Sequence, residues 1–316
     1  MISYQTFRNT DPPELVAIWR SRAGQDGLAR WVSPDLFEQL VFAKLYFDYE
    51  GLMIAREDGR PVGFAHAGFG PNEARDRIST ESGTTCMVMV RPDCPQQEVA
   101  AGLLERAEQY LRQRGAKVLY GGGMKPLNPF YLGLYGGSEL PGVLHTDCLA
   151  RETFASHGYD EIDRTLILRR DLSGFEAVID RRQMQIRRRM IVEVTADPPA
   201  ESWWDASVVG EFDLTRFELV PRETAPALAW ATFRSMEPSG TAGVGRAAGL
   251  MDLHVDESLR RRGLAVFLLS EAFRQFIRQG IHLVEVQTTQ HNAAALGLFR
   301  QFGFQETGRG SVFRKR

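Results

Sequence analysis

The chain has 316 residues, a length for about two domains of ordinary size. Its 38 Lys and Arg against 40 Asp and Glu leave a net charge of −2, so it carries no overall attraction for nucleic acid or an anionic membrane surface. A composition 43% hydrophobic and 25% charged is that of a soluble globular protein and excludes a disordered or fibrous one.

No apolar run approaches the ~20 residues of a membrane span, and MISYQTFRNTDPPEL is not a basic leader followed by an apolar stretch, so a cytoplasmic protein is expected. Cys86, Cys94 and Cys148 lack CxxC spacing and an accompanying His cluster. Reduced thiols and no metal are expected.

In chain order, Ile2–Arg8 alternates as a strand and Pro12–Pro13 open a helix through Trp19, with a second helix over Asp35–Tyr46. Gly51–Arg56 and Pro61–Phe69 read as a hairpin about Glu57-Asp58-Gly59-Arg60, and Thr84–Val90 as a third strand. Val99, Leu103, Leu104, Ala107 and Leu111 recur at the helical period in Gln97–Arg114, which Gly115 ends before the strand Val118–Tyr120. Gly121–Asp147, rich in Gly, Pro and aromatics, is too long for an ordinary connection and reads as a binding loop. A helix near Cys148–Ser156 and a strand near Ile162–Arg169 lead into the charged run Arg169–Arg189, the candidate linker. Beyond it, strands are expected at Gln185–Val194, Arg216–Val220, Ala227–Arg234, Leu250–Val255 and His282–Thr288, with a short helix at Trp203–Val208.

The second half repeats the first. Val255, Leu269 and Gly280 fall at a constant offset of 165 from Val90, Leu104 and Gly115, and Phe302-Gly303-Phe304 answers His157-Gly158-Tyr159 at 145. The difference of 20 residues is the extra length of the Gly-rich loop.

Val255-x-x-x-x-Arg260-x-x-Gly263-x-Ala265 followed by Leu268-Leu269 resembles the acyl-CoA pyrophosphate loop of the GNAT N-acetyltransferase superfamily. Asn292-x-x-Ala295-x-x-Leu298-Phe299-x-x-x-Gly303-Phe304 resembles its later helix–strand motif. The resemblance is specific over residues 249–308 and weaker over residues 84–159. It implies an α/β (α+β) class with two GNAT-like domains, each a mixed, mostly antiparallel sheet flanked by helices: residues 1–170, a linker at 171–184, and residues 185–316. It also implies acetyl-CoA as acyl donor and an unidentified amine, small or peptidic, as acceptor.

The physical basis of the loop is independent of the name. Open amides at a helix N-terminus form an anion site, which implicates Gly263, Leu264 and Ala265. Arg260, Arg261 and Arg262 place positive charge beside it, where a basic first turn without an anion would oppose the dipole. At the aligned first-half positions Pro95 replaces Arg260, Gln97 replaces Arg262 and Glu98 replaces Gly263, so acyl-CoA should bind poorly there. An alternative register, Gln97-x-x-Ala100-x-Gly102, recovers a partial motif but breaks the match of Leu103-Leu104 to Leu268-Leu269.

The resemblance further implies a thioester held between parting strands, with the amides of Leu253 or Val255 on its carbonyl or pantetheine oxygen. Asn292 either holds the pantetheine arm or caps a helix. Base candidates are Glu285, His254 and Asp252, each equally readable as an ordinary polar strand residue. Phe299 stands where the family often has a Tyr acid. The second half has little room for a lid like that of Pro12–Tyr46, so the Gly-rich loop, with Asn128, Phe130, Tyr131, Tyr135 and Glu139, is the candidate substrate wall. Equally, it packs only on its own domain. The leading function is an N-acetyltransferase, and the alternative is a non-catalytic acyl-CoA-binding regulatory or structural protein.

Overall fold

The computed structural model describes residues 1–177, 179–223, 226–236 and 246–316. In the first half, β1 (Ile2–Thr6) is followed by α1 (Pro12–Ser21), α2 (Pro34–Phe37) and the strands β2 (Leu52–Glu57), β3 (Arg60–Pro71) and β4 (Ile78–Val90). Then come α3 (Gln96–Gln113), β5 (Val118–Gly121), the short β6 (Val143–Leu144), α4 (Cys148–Ser156) and β7 (Asp160–Asp171). The second half consists of α5 (Arg181–Arg189), β8 (Met190–Ala196), α6 (Trp203–Val209), β9 (Leu214–Pro221), β10 (Ala229–Met236) and β11 (Arg246–Val255). It ends with α7 (Leu264–Arg278), β12 (Ile281–Thr289), α8 (Ala293–Gln301) and β13 (Gln305–Lys315).

The repeat landmarks coincide with element ends. Val90 and Val255 close β4 and β11, and Gly115 and Gly280, both left-handed, follow α3 and α7. Left-handed Gly158 and Gly303 likewise follow α4 and α8, where a side chain would be strained.

Two expected elements differ. Gln185–Val194 is helical as far as Arg189 and extended only from Met190. Asp180 caps that helix by accepting from the Gln183 amide at 2.7 Å, Gln183 and Ile186 bury at helical spacing, and three arginines sit at its negative end. The expected helix Asp35–Tyr46 is α-helical only over Pro34–Phe37 and widens to a π turn over Glu38–Phe42. Of the expected linker 171–184, Asp171 ends β7 and residues 181–184 begin α5, while Val178 lies outside the described residues.

Among the described residues the strands form one mixed, mostly antiparallel sheet, ordered β1-β2-β3-β4-β5-β13-β7-β12-β11-β10-β9-β8, with β6 also on β13. Each half ends on a strand that pairs with the other half's last parallel strand. β7 lies against β12 (Leu283↔Asp171 to Thr289↔Thr165), and β13 lies against β5 (Phe313↔Gly121). β7 and β13 also pair with each other, sealing the junction. Helix α3 covers the first half's core and α7 that of the second, Leu268, Leu269 and Phe273 being buried against Phe217, Phe233 and Val284.

Because Phe313 of the final strand is buried in the first half's core, 5.7 Å from Phe154, Phe313→Ala should destabilise that half by about 3 kcal/mol. Urea unfolding followed by tryptophan fluorescence should stay a single transition displaced to lower urea. Two separated transitions would show that the halves do not depend on the exchange.

Candidate active site

Strands β11 and β12 pair only from Arg246↔Ile281 to Leu250↔Val286. Beyond that, β11 stays with β10 as far as Val255 and β12 stays with β7 through Thr289, so the two part. A cleft of about 620 Å³ opens there, lined by Leu253, Val255, Gly263, Ala265 and Asn292, with Arg182 and Gln183 contributed by α5. The Asp256 amide donates to the Leu228 carbonyl on the β10 side at 3.0 Å. Strand alternation therefore turns the amides of Leu253 and Val255 toward the cleft.

The loop entering α7 holds Arg261 and Gly263 in the left-handed region, at φ +64° and +83°. No side chain caps α7, and the first amide to close back is that of Phe267, onto the Gly263 carbonyl at 3.0 Å. The amides of Leu264 and Ala265 thus stand open at the positive end of the helix. Arg260 and Arg261 line the cleft, Arg260 also donating to the Val255 carbonyl at 3.2 Å, whereas Arg262 is exposed outside the lining. Asn292 caps α8, its Oδ1 accepting from the Ala295 amide at 3.1 Å, and also lines the cleft.

Among the described residues, the corresponding gap of the first half is closed. β4 and β5 pair only from Ser82↔Val118 to Thr85↔Gly121, and the gap beyond retains about 10 Å³, closed by Tyr135, Val143 and Phe154 among others. Helix α3 begins at Gln96, so residues aligned with the loop before α7 are wound into its first turn.

A second cavity, of about 380 Å³, lies next to the cleft and is bounded by both halves. Lys125, Asn128 and Glu139 come from the Gly-rich loop, Trp204 from α6, and Trp230, Asp252 and His254 from β10 and β11. His254 lines both cavities and stacks on Trp230 at 3.9 Å, while the Trp230 indole N–H donates to Asp252 at 2.8 Å. Around the rim, Arg216 pairs with Glu201 at 2.9 Å and Arg75 with Asp205 at 3.5 Å.

Three second-half side chains grip the loop. Buried Arg234 donates to the Ser138 carbonyl at 2.8 Å and to the Gly137 carbonyl. Glu285, fully buried, accepts from the Ser138 amide at 2.5 Å and from Arg169 at 2.8 Å. Gln287 donates to the Glu139 carbonyl at 2.8 Å. At Gly249 of β11 a side chain would meet Ser138 at 2.7 Å, so only glycine admits the loop. Glu285 therefore has both oxygens engaged and lines neither cavity, unlike the other base candidates, Asp252 and His254.

Of the five candidate wall residues, Asn128 and Glu139 line the shared cavity. Phe130, Tyr131 and Tyr135 do not: they are buried in the first half's core, where Phe130 stacks on His66 at 4.1 Å and Tyr131 on Trp19 at 6.1 Å. Aromatic rings with an apolar core beside them gain more from burial there than from lining a wet cavity. Burial holds the Glu139 carboxyl up to about 7, against the opposing pull of Lys125 and with Asp252 adding to the rise. Arg234, Trp204 and Trp230 were not singled out by sequence, although arginine within the apolar strand run WATFR is a signal of a buried polar role. Phe299 is a core residue against Phe304, and all eight tyrosines lie at or before Tyr159. Among the described residues no group of three or more His, Cys, Asp or Glu is placed to hold a metal, and no helix is long and apolar enough to cross a membrane.

The family model of the acetyltransferase (GNAT) family matches residues 16–135 and 192–304. The chain belongs to the GNAT family. That membership supports an N-acyltransferase function and two copies of the unit in one chain. No curated protein matches the sequence. Among solved structures, the chain is similar over its whole length to a GCN5-related glucosamine N-acetyltransferase region of a fungal multi-domain GH3 β-N-acetylglucosaminidase, with TM-score 0.73 and 19% identity. It spans 38% of the length of that protein. A tandem GNAT protein from the clavulanic acid biosynthesis pathway aligns over 100% of this chain and 98% of its own, with TM-score 0.65 and 13% identity. A GCN5-related N-acetyltransferase from Sphaerobacter thermophilus aligns over 99% of this chain and 95% of its own, with TM-score 0.60 and 15% identity. At such identities the likeness is one of fold.

Within this GNAT chain, Glu285→Ala leaves Arg169 and the Ser138 amide without their buried acceptor. It should cost about 3–5 kcal/mol of stability, measured as a lower urea midpoint. A midpoint unchanged from the parent would remove Glu285 from the grip on the loop.

Proposed function

We propose that the chain is an acetyl-CoA-dependent N-acetyltransferase, binding its acyl donor in the cleft between β11 and β12 and its amine acceptor in the adjoining cavity. The observation that carries this reading is that the two spaces meet at His254. One is lined with open amides and arginines, and the other with carboxylates and indoles.

The residues present fit the donor. The amides of Leu264 and Ala265, with Arg182, Arg260 and Arg261 nearby, suit a pyrophosphate, while Leu253, Val255 and Asn292 suit the peptide-like pantetheine arm. Bound there, acetyl-CoA supplies a thioester carbonyl carbon to an attacking amine. On the acceptor side, Asp252 presents a carboxylate steadied by the Trp230 indole, a partner for an ammonium group. His254 stands between the two ligands, where proton transfers belong. No tyrosine from the second half is available to protonate the departing thiolate, which leaves water or His254 for that role. The glucosamine named for the fungal neighbour makes amino sugars the first acceptors to assay, and the carboxylates and indoles of the cavity suit a hydroxylated amine. We read residues 1–170 and 185–316 as the two GNAT units, only the second binding donor.

Free-thiol release over a panel of amines tests turnover, and donor binding without release would favour the non-catalytic alternative. Calorimetric titration of the wild type should show one acetyl-CoA per chain. Gly263→Glu, which sets a carboxylate among the open amides, should lower affinity more than tenfold. Gly263→Ala carries the backbone strain of φ +83° without the charge and should retain more of it. Two equivalents of similar affinity, or unchanged binding by Gly263→Glu, would put the donor elsewhere.

A further inference from the structure

We infer that Glu139, carried by the first half's Gly-rich loop, is the proton acceptor for the amine at the second half's transfer site. The inference rests on the reading of the chain as an acetyltransferase and adds to it a reactive group from the half that binds no donor.

Glu139 is held in place from the second half. Backbone positions 137, 138 and 139 are each held by a side chain on β10 or β12: Arg234 on the carbonyls of 137 and 138, Glu285 on the amide of 138, and Gln287 on the carbonyl of 139. Gln287 lies one residue beyond the last β11–β12 pair, where the cleft begins. The grip therefore fixes Glu139 on the wall of the cavity that shares His254 with the donor cleft, with a precision that a free surface loop does not have. Burying Arg234 and Glu285 is costly, and the loop backbone is what they hold in common.

Hydrogen-bonding capacity is also left unmet at the shared cavity. Among the described residues, Glu139 Oε1, Asn128 Oδ1, Ser138 Oγ and Gln287 Oε1 are buried without a hydrogen-bond partner. Two of them, Glu139 Oε1 and Asn128 Oδ1, belong to residues that line the shared cavity, and since buried polar atoms are nearly always satisfied they call for a donor-rich occupant, as an ammonium or amino sugar is. Lys125 Nζ, 3.7 Å from Glu139 Oε1, is near enough to attract it but not to hydrogen-bond it.

The charges around Glu139 come from several elements. Glu139 is faced by Lys125 from its own loop, Asp252 from β11 and Arg234 from β10, with His254 and the Arg216–Glu201 and Arg75–Asp205 pairs around the same cavity. Burial outweighs the cations and holds its carboxyl up to about 7, matched to proton transfer near neutral pH. Asp252 and Glu139 then divide the work: Asp252 attracts the ammonium and Glu139 accepts its proton, R–NH3⁺ and Glu–COO⁻ becoming R–NH2 and Glu–COOH. The freed lone pair forms the C–N bond as the C–S bond breaks. The nitrogen sheds two protons on the way to the amide. One leaves through Glu139 to solvent and the other ends on the CoA thiol.

The test uses the full chain with acetyl-CoA and glucosamine, spermidine, L-lysine and a tripeptide as acceptor probes. In the wild type, kcat/KM for an accepted amine should rise with pH through about 7 as Glu139 ionises. Glu139→Gln should lose 10²-fold or more of that value together with the limb, and Glu139→Asp should recover part of it. Calorimetric affinity for acetyl-CoA should be unchanged in both variants. Independently of turnover, carboxyl-carbon NMR of the unliganded wild type should show one Glu titrating near 7 that Glu139→Gln removes. A wild type that binds acetyl-CoA but releases no thiol with any probe overturns the acetyltransferase reading and Glu139's part with it. An active wild type whose Glu139→Gln variant keeps the rate and the limb, or a Glu139 titrating in the ordinary carboxylate range, overturns Glu139's role alone.

Discussion

The exchange of final strands is the constraint on which the rest of the structure depends. β7 completes the sheet beside β12 and β13 completes it beside β5, so neither half has its full complement of strands from its own sequence. A hinge between two independent domains would let their facing surfaces slide by ångströms. Backbone ladders crossing the junction in both directions remove that freedom. The cavity bounded by both halves owes its fixed geometry to these ladders.

On that rigid base, contacts between the halves gain energy by burial as well as by hydrogen bonding. Trp204 of α6 is buried against Tyr46 and Leu132 of the first half, and Lys44 reaches the Ser207 carbonyl at 2.9 Å, burial lowering its basicity. Burial also pushes Arg234 down to about 10, which leaves it charged at neutral pH beside Glu285 and Glu139. Apolar side chains of similar volume would fill that space at less electrostatic cost, but they would not fix the backbone of residues 137–139 in one position. What the charges add is the placement of the loop.

The duplication and the open loop before α7 were legible in sequence because their signals are local, while the parting of the strands was implied by the resemblance alone. Gly115 and Gly280 mark helix ends through backbone conformations that few other residues adopt, and an open loop before α7 needs only its own residues. The strand exchange was not legible. A strand such as Gln305–Lys315 carries the same alternation whichever neighbour it pairs with, and pairing across more than a hundred residues leaves no periodic trace. The loop aromatics misled for a related reason: Phe130, Tyr131 and Tyr135 supply apolar area, and sequence does not say which surface receives it. Glu285 shows the same limit for charge, since its strand position was evident while the buried arginine and amide that occupy it lie far along the chain.

One insertion accounts for the asymmetry between the halves. The Gly-rich loop is longer by 20 residues than its counterpart, to judge from the two repeat offsets. Its Tyr135 and Val143 fill the gap between β4 and β5, reducing to about 10 Å³ the space that measures about 620 Å³ in the second half. Its Asn128 and Glu139 wall the cavity beside His254. The second half has the single short α6 where the first has α1 and α2, so it lacks the cover that would close that cavity from its own sequence. Filling one cleft and walling the other are thus two consequences of the same segment. A ligand entering the first half's gap would have to displace Tyr135, whose hydroxyl accepts from the Leu144 amide at 2.7 Å, and with it the turn that leads Glu139 to the shared cavity. Closing the first half's gap and walling the cavity beside His254 are therefore coupled through one segment, and the first half stays folded around its own closed cleft.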